Sequence, residues 1–129
     1  VNLPSSWRWL RRDTVLAIHE AQIAEHGGAL GIRDMGLLES ALARPQQAAA
    51  YGEPNPSNLA ALYALGISRN HPFIDGNKRV ALVLLELFLY LNGRKLTASN
   101  RDCYEAIMSI AAGDRSDDDF IAWVRANTA

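Results

Sequence analysis

Between Val80 and Leu91 the chain is apolar at eleven of twelve positions, with Glu86 the sole exception. A helix that is hydrophobic nearly all round has no face to offer water, so the stretch predicts a buried central helix on which other elements pack. It is too short to span a bilayer, which needs about 20 such residues. The core therefore holds the start of this helix in place, together with whatever is written just ahead of it. What is written there is His71-Pro72-Phe73-Ile74-Asp75-Gly76-Asn77-Lys78-Arg79: an imidazole, a carboxylate, a Gly-Asn turn and two cations within nine residues.

A chain of 129 residues fits one domain, large enough to bury a core without a staple. The formal charge of −1 provides no global field for nucleic acid, so any anion site has to be local. The lone Cys103 has no second thiol for a disulfide or a metal cluster, which fits a reducing compartment and makes the cytoplasm the expected location. The first residues, with Arg8, Arg11 and Arg12 around two tryptophans, lack the long apolar region of a signal peptide. No membrane partner is expected.

Taken in order, residues 1–12 read as an N-terminal arm whose Trp7 and Trp9 pack on the domain. Asp13 or Thr14 caps a helix to about His26, stopped by Gly27-Gly28, and His19 within it reads as a partly buried helix histidine without chemistry. After Gly31-Ile32-Arg33, Asp34 caps a second helix that presents Leu37, Leu38, Ala41 and Leu42 and ends at Pro45. Residues 46–58, with Gly52, Pro54 and Pro56, read as the longest loop and as a flap over the site. Ser57 or Asn58 caps a third helix, which carries Leu59, Leu62, Tyr63, Gly66 and Ile67 and delivers His71 to its end, where Pro72 stops it.

Beyond the apolar helix, Asn92-Gly93 caps its end and Arg94 to Leu96 is a short extended piece. Ser99 starts a fifth helix with Tyr104, Ile107, Met108 and Ala111 facing inward. Ser116 with Asp117, Asp118 and Asp119 caps a sixth, docked by Phe120, Ile121, Trp123 and Val124. The aspartates are first-turn carboxylates and not a metal site, since consecutive helical residues point in different directions. No stretch alternates as a strand does. The expected fold is all-α, six helices about one buried helix, with any β structure confined to a small hairpin near the flap.

The chemistry concentrates at 71–79. The imidazole of His71 can take a proton from an attacking hydroxyl as general base. Asp75 is a hard oxygen ligand suited to Mg²⁺ that is otherwise held by nucleotide phosphates and water. Gly76 and Asn77 place backbone N–H donors at a helix start, a ready anion hole, and Lys78 and Arg79 add positive charge that counts as catalytic once a phosphate is present. Arg69, two residues ahead of His71, joins Gly76, Asn77, Lys78 and Arg79 as a phosphate-binding candidate. Phe73 anchors the loop to the core. A plain structural alternative makes His71 and Asp75 helix caps and Lys78-Arg79 a solvated pair, but base, ligand, anion hole and cations all converge on one loop.

The stretch HPFIDGNKR resembles the signature of the Fic/Doc superfamily, H-P-F-x-D/E-G-N-G/K-R, at every specified position. The resemblance runs back through His19-Glu20-Ala21, Gly27-Gly28, Gly31 to Asp34 and Leu37 to Pro45, covering most of residues 14–92. It implies a Fic-like helical bundle in which His71 is the base, Asp75 the Mg²⁺ ligand, Gly76-Asn77 the anion hole, and Lys78 and Arg79 phosphate binders. Two positions separate the branches. AMP-transferring Fic enzymes typically have Gly where this chain has Lys78, and a second Arg where it has Leu82. Both departures are similar to the short Doc (death-on-curing) branch, toxins of toxin–antitoxin modules. That likeness implies an ATP-dependent kinase that passes the γ-phosphate to a threonine or serine hydroxyl of translation elongation factor Tu. The inhibitory pattern S/T-x-x-x-E-G/N of self-restrained Fic proteins is absent, so restraint is expected from a cognate antitoxin. The alternatives are a Fic-type AMP transferase and a non-enzymatic module that binds an anion or a partner.

Overall fold

A computed structural model describes residues 7–52 and 55–129. Six helices follow one another: α1 (Arg12–His26), α2 (Met35–Tyr51), α3 (Pro56–Asn70), α4 (Asn77–Leu91), α5 (Asn100–Ala111) and α6 (Asp117–Ala126). Among the described residues, β structure amounts to two isolated antiparallel bridges, Ile32 with Phe73 and Leu96 with Thr128, and there is no hairpin at 46–58. The fold is all-α. No helix among the described residues is long and apolar enough to cross a membrane.

The most enclosed helix is α3, where hydropathy alone pointed to α4. It packs against α2, α4, α5 and α6, and Ala60, Ala61, Tyr63, Ala64, Leu65 and Ile67 are all fully buried on it. Small side chains make this crowding feasible. Gly66 is the clearest case, since a Cβ there would lie 3.0 Å from the Cβ of Ala41 on α2. By contrast α4 buries Val80, Ala81, Leu84, Leu85, Phe88 and Leu89 in a single helical stripe, leaving Glu86 and Tyr90 outside. Its uniform hydropathy hid an ordinary amphipathic arrangement.

The arm does reach the core: Trp7 stacks on Phe88 and Trp9 packs tilted against it, at ring distances of 6.2 and 5.8 Å, and Leu10 is buried. The Leu10 N–H donates to the Tyr63 hydroxyl at 3.0 Å. Burial pushes that phenol up to about 12, outweighing the opposite effect of the Leu10 hydrogen bond. Residues 1–6 of the arm lie outside the described residues. At the other end, Lys95 and Ala129 exchange two backbone hydrogen bonds of 2.9 Å, which ties the chain end to the segment after α4.

Three local expectations change. First, α2 continues through Pro45 to Tyr51 instead of stopping, so the supposed flap over residues 46–58 is largely helix, with residues 53 and 54 outside the described set. Pro45 removes one N–H from the ladder, but it is buried against the core and is followed by Gln46, Gln47 and three alanines, strong helix formers that restore the helix beyond it. Second, α3 starts earlier than expected, with Pro56 at its first position and Asn55 as its cap, whose side chain accepts from the Ser57 N–H at 2.9 Å. Third, α1 begins at Arg12 without a side-chain cap and holds Asp13 in its first turn. Ser99 and Ser116 cap α5 and α6 as expected, accepting from Asp102 and Asp119 N–H.

Candidate active site

The site is built where α3 ends and α4 begins. His71 caps α3 in the left-handed conformation (φ 50°, ψ 55°), uncommon for a residue with a side chain, and its N–H still bonds to Ile67 O at 3.0 Å. The strain is held by Arg33, whose guanidinium donates to His71 O and Asn70 O at 2.7 Å each and so caps the last turn. Pro72 O accepts from the N–H groups of Arg33 and Asp34, and Ile74 N–H donates to Gly31 O. The Gly31–Asp34 connector therefore runs alongside the motif and fastens it.

Inside the loop, Asn77 and Phe73 close a ring. Phe73 N–H donates to Asn77 Oδ1 at 3.0 Å and Asn77 Nδ2 donates back to Phe73 O at 3.0 Å, which sets the amide's orientation. The second hydrogen on Nδ2 then faces His71 Nδ1 at 3.2 Å. With the amide so oriented, Nδ1 is the ring nitrogen that accepts from it. Phe73 is fully buried and Asn77 is 4% exposed, whereas His71, Asp75, Lys78 and Arg79 face solvent.

Beneath the loop lies His19, a residue that reads from sequence as having no chemistry. It is 3% exposed, stacks on Phe73 with ring centroids 3.9 Å apart and planes 8° apart, and its Nε2 donates to Asp75 O at 2.8 Å. The Gly27-Gly28 pair also does more than stop α1. A Cβ on Gly28 would lie 2.7 Å from Asp75 Oδ2, and its φ of +117° favours glycine in any case. Ala29 N–H donates to Asp75 Oδ2 at 3.2 Å and Gly76 N–H to Oδ1 at 2.9 Å, while Arg79 reaches Gly27 O at 3.3 Å. The end of α1 is thus a cradle for the carboxylate and for Arg79.

These elements enclose a cleft of about 240 Å³ lined by His71, Ile74, Asp75, Gly76, Asn77, Lys78, Arg79 and Tyr104. Every candidate from the motif is there except the buried Phe73 anchor and Pro72. Arg69 is not. Its guanidinium bonds to Asp117 at 2.8 Å, to Arg115 O at 3.2 Å and to Ile110 O, so it clamps α3 to α5 and α6 and leaves the phosphate-binding set. Tyr104 is the reverse correction. Expected inside, it is 57% exposed because α5 turns Cys103, Ala106, Ile107 and Ile110 inward, one residue off the expected face.

As a metal ligand Asp75 stands alone, since the described residues contain no group of three or more His, Cys, Asp or Glu side chains placed to hold an ion. A lone exposed carboxylate fits Mg²⁺ that brings phosphate and water as its other ligands, and does not fit an all-protein cage. The first-turn N–H groups of α4 have no intrahelical partner, no side chain caps them, and no acidic residue stands in that turn. Among the described residues Lys78 has neither a hydrogen-bond nor an ion-pair partner.

Residues 9–89 match the model of the Fic/DOC family, and the chain belongs to that family. Two relatives place it further. It is 40% identical to the protein named Toxin Doc of Mycolicibacterium smegmatis over 118 residues, 88% of each chain. It is 37% identical over 87 residues to Protein kinase doc of Escherichia phage P1, covering 67% of this chain and 69% of that one. The family match ends before α5, so Tyr104 lies beyond it.

Proposed function

We propose that the chain is a Doc-like toxin that transfers the γ-phosphate of ATP to a serine or threonine hydroxyl of a translation factor, with elongation factor Tu the expected target, and so arrests growth. The observation that carries the reading is the pairing in one cleft of an open histidine with a helix whose first turn holds cations and no acidic residue, beside the Asp75 carboxylate. The names of the two relatives, one a toxin and one a kinase, support it.

In this mechanism the acceptor hydroxyl attacks the γ-phosphorus, the bond from that phosphorus to the β-bridging oxygen breaks, and ADP leaves. The hydroxyl proton goes to the His71 imidazole, which lines the cleft. Backbone N–H groups at the start of α4, with Lys78 and Arg79, stabilise charge on the transferring phosphoryl group. Asp75 would hold Mg²⁺, which would supply charge neutralisation for the nucleotide's phosphates. Asn77 and His19 keep the loop in shape.

Branch choice rests on Lys78 and Leu82. Lys78 lines the cleft and narrows it, while Leu82, one turn along α4, packs half-buried on the core and offers no cation for a terminal phosphate. Incubation with elongation factor Tu and ATP labelled at either the α- or the γ-position decides the matter. Label from the γ-position is expected on the target, and label from the α-position alone would make the protein an AMP transferase. The Lys78→Gly/Leu82→Arg double variant sharpens this: it should gain adenylyl transfer and lose phosphorylation. A cytoplasmic site of action and control by a cognate antitoxin belong to the same proposal.

A further inference from the structure

We propose that Arg33 is a positioning residue for phosphoryl transfer, holding the His71 backbone in the turn that aims its imidazole into the cleft. This role rests on the reading of His71 as the base. Among the described residues six glycines take a positive φ, and His71 is the only residue with a side chain to do so. At a helix end that conformation ordinarily falls to glycine, or to asparagine. Glycine at this position would suit the backbone and remove the base, so the chain keeps a histidine where the turn alone favours none.

The usual closure of such a helix end is also half missing. A left-handed cap commonly draws a second bond from the N–H of the next residue, and here that residue is Pro72, which has none. What remains within the chain's own turn is the His71 N–H on Ile67 O. Arg33 ties the end down from outside instead: its Nε donates to His71 O and its Nη2 to Asn70 O, each at 2.7 Å. A planar guanidinium fixes both carbonyls in one geometry, as an ammonium on a flexible stem does not. The stem itself starts from a fixed point, since Arg33 and Asp34 N–H both donate to Pro72 O, at 2.7 and 3.0 Å. Arg33 is exposed and has no carboxylate partner among the described residues, so neither burial nor an ion pair accounts for its place. On the other side of the turn the imidazole meets the Asn77 amide at 3.2 Å and lines the cleft. Without the guanidinium the two carbonyls turn to water, and His71 relaxes toward the negative φ that a side chain prefers, which swings the ring away from both. Asp75, Lys78 and Arg79 take no part in the clamp.

The test combines steady-state kinetics and NMR on wild type, Arg33→Ala, His71→Ala and the double variant, with helicity checked by circular dichroism. Arg33→Ala should lower kcat by about 10²-fold, the scale of a reacting group misplaced by about 1 Å, and leave KM for ATP unchanged. In the His71→Ala background the same change should cost nothing further, because a residue that acts through His71 then has nothing to act on. Guanidinium chloride at millimolar concentration should restore part of the kcat of Arg33→Ala, and sodium chloride at equal concentration should not. In NMR, Arg33→Ala should lose the nuclear Overhauser contact between the Asn77 amide and the His71 ring and keep that between the stacked His19 and Phe73 rings. A wild-type kcat in Arg33→Ala overturns the inference, as does a loss that is multiplied again in the double variant, or one with His71 still against Asn77. Wild-type protein that transfers neither the α- nor the γ-phosphate overturns the function proposed above. Survival of the Asn77 to His71 contact in Arg33→Ala would then overturn the role of Arg33 as well, and its loss would leave the hold on His71 standing.

Discussion

Two helices of this protein, α4 and α6, begin in opposite ways. Ser116 caps α6, accepting from Asp119 N–H at 3.1 Å, and Asp117, Asp118 and Asp119 fill its first turn with negative charge that suits the helix dipole. Asp117 then receives Arg44 at 3.0 Å and Arg69 at 2.8 Å, so the cations nearby are already paired. The start of α4 has Gly76 without a side-chain cap, no acid in the first turn, and Lys78 and Arg79 where the dipole disfavours positive charge. One N-terminus is capped by its own side chains, and the other leaves its first turn uncapped, as the proposed phosphate site requires. The contrast separates a self-capped helix start from the one proposed to bind phosphate, although both lie beside arginines.

The largest effect should come from the open end. His71→Ala should lower phosphoryl transfer by about 10²- to 10⁴-fold while leaving the helical signal and thermal midpoint close to wild type, as expected for removal of a general base. Full growth arrest by that variant would argue for a binding module instead.

Making α4 resemble α6 should trade binding for stability. Lys78→Glu supplies the missing first-turn acid, so ATP should bind about 10- to 150-fold more weakly, the scale of a charged hydrogen bond. The same change should stabilise the free protein by about 0.3–1 kcal/mol through the helix dipole. Unaltered ATP affinity would remove α4 as the phosphate site.

At the closed end the effects should be on stability alone. Asp117→Asn should cost about 1 kcal/mol in chemical denaturation, since both ion pairs are partly solvent-exposed and screened. Transfer activity should be unchanged, and a fall in kcat with no loss of stability would return Arg69 to the phosphate site.

The smallest effect is in pH dependence. Burial pushes the Asp117 carboxyl up, but hydrogen bonds from Arg69 and Arg44 and their charges outweigh it and leave it below its ordinary 3.8. A depressed carboxylate contributes stability that is full above the unfolded-state value and is lost as pH falls through the folded-state value. Acid titration of unfolding should therefore show a component below about pH 4 that is absent from Asp117→Asn.

What the chain's order of residues determined by itself is local. Six helices, the serine caps at 99 and 116, and a base, a carboxylate and two cations set on one helix start are all written within a few consecutive residues, and neighbours in a turn need no tertiary information to meet. Tertiary structure decided the rest. It chose α3 as the enclosed helix, because Gly66 and the α3 alanines permit an approach that hydropathy does not register. It carried α2 past Pro45 by burying the proline. It also brought in partners far apart in the chain: Ala29 to Asp75 across 46 residues, Arg69 to Asp117 across 48, and His19 to Asp75 across 56. Histidine, arginine and tyrosine side chains carry the same chemistry on a solvent face, in a clamp or in a cleft. Only packing, which turned α5 by one residue and Arg69 toward α6, assigns them their places.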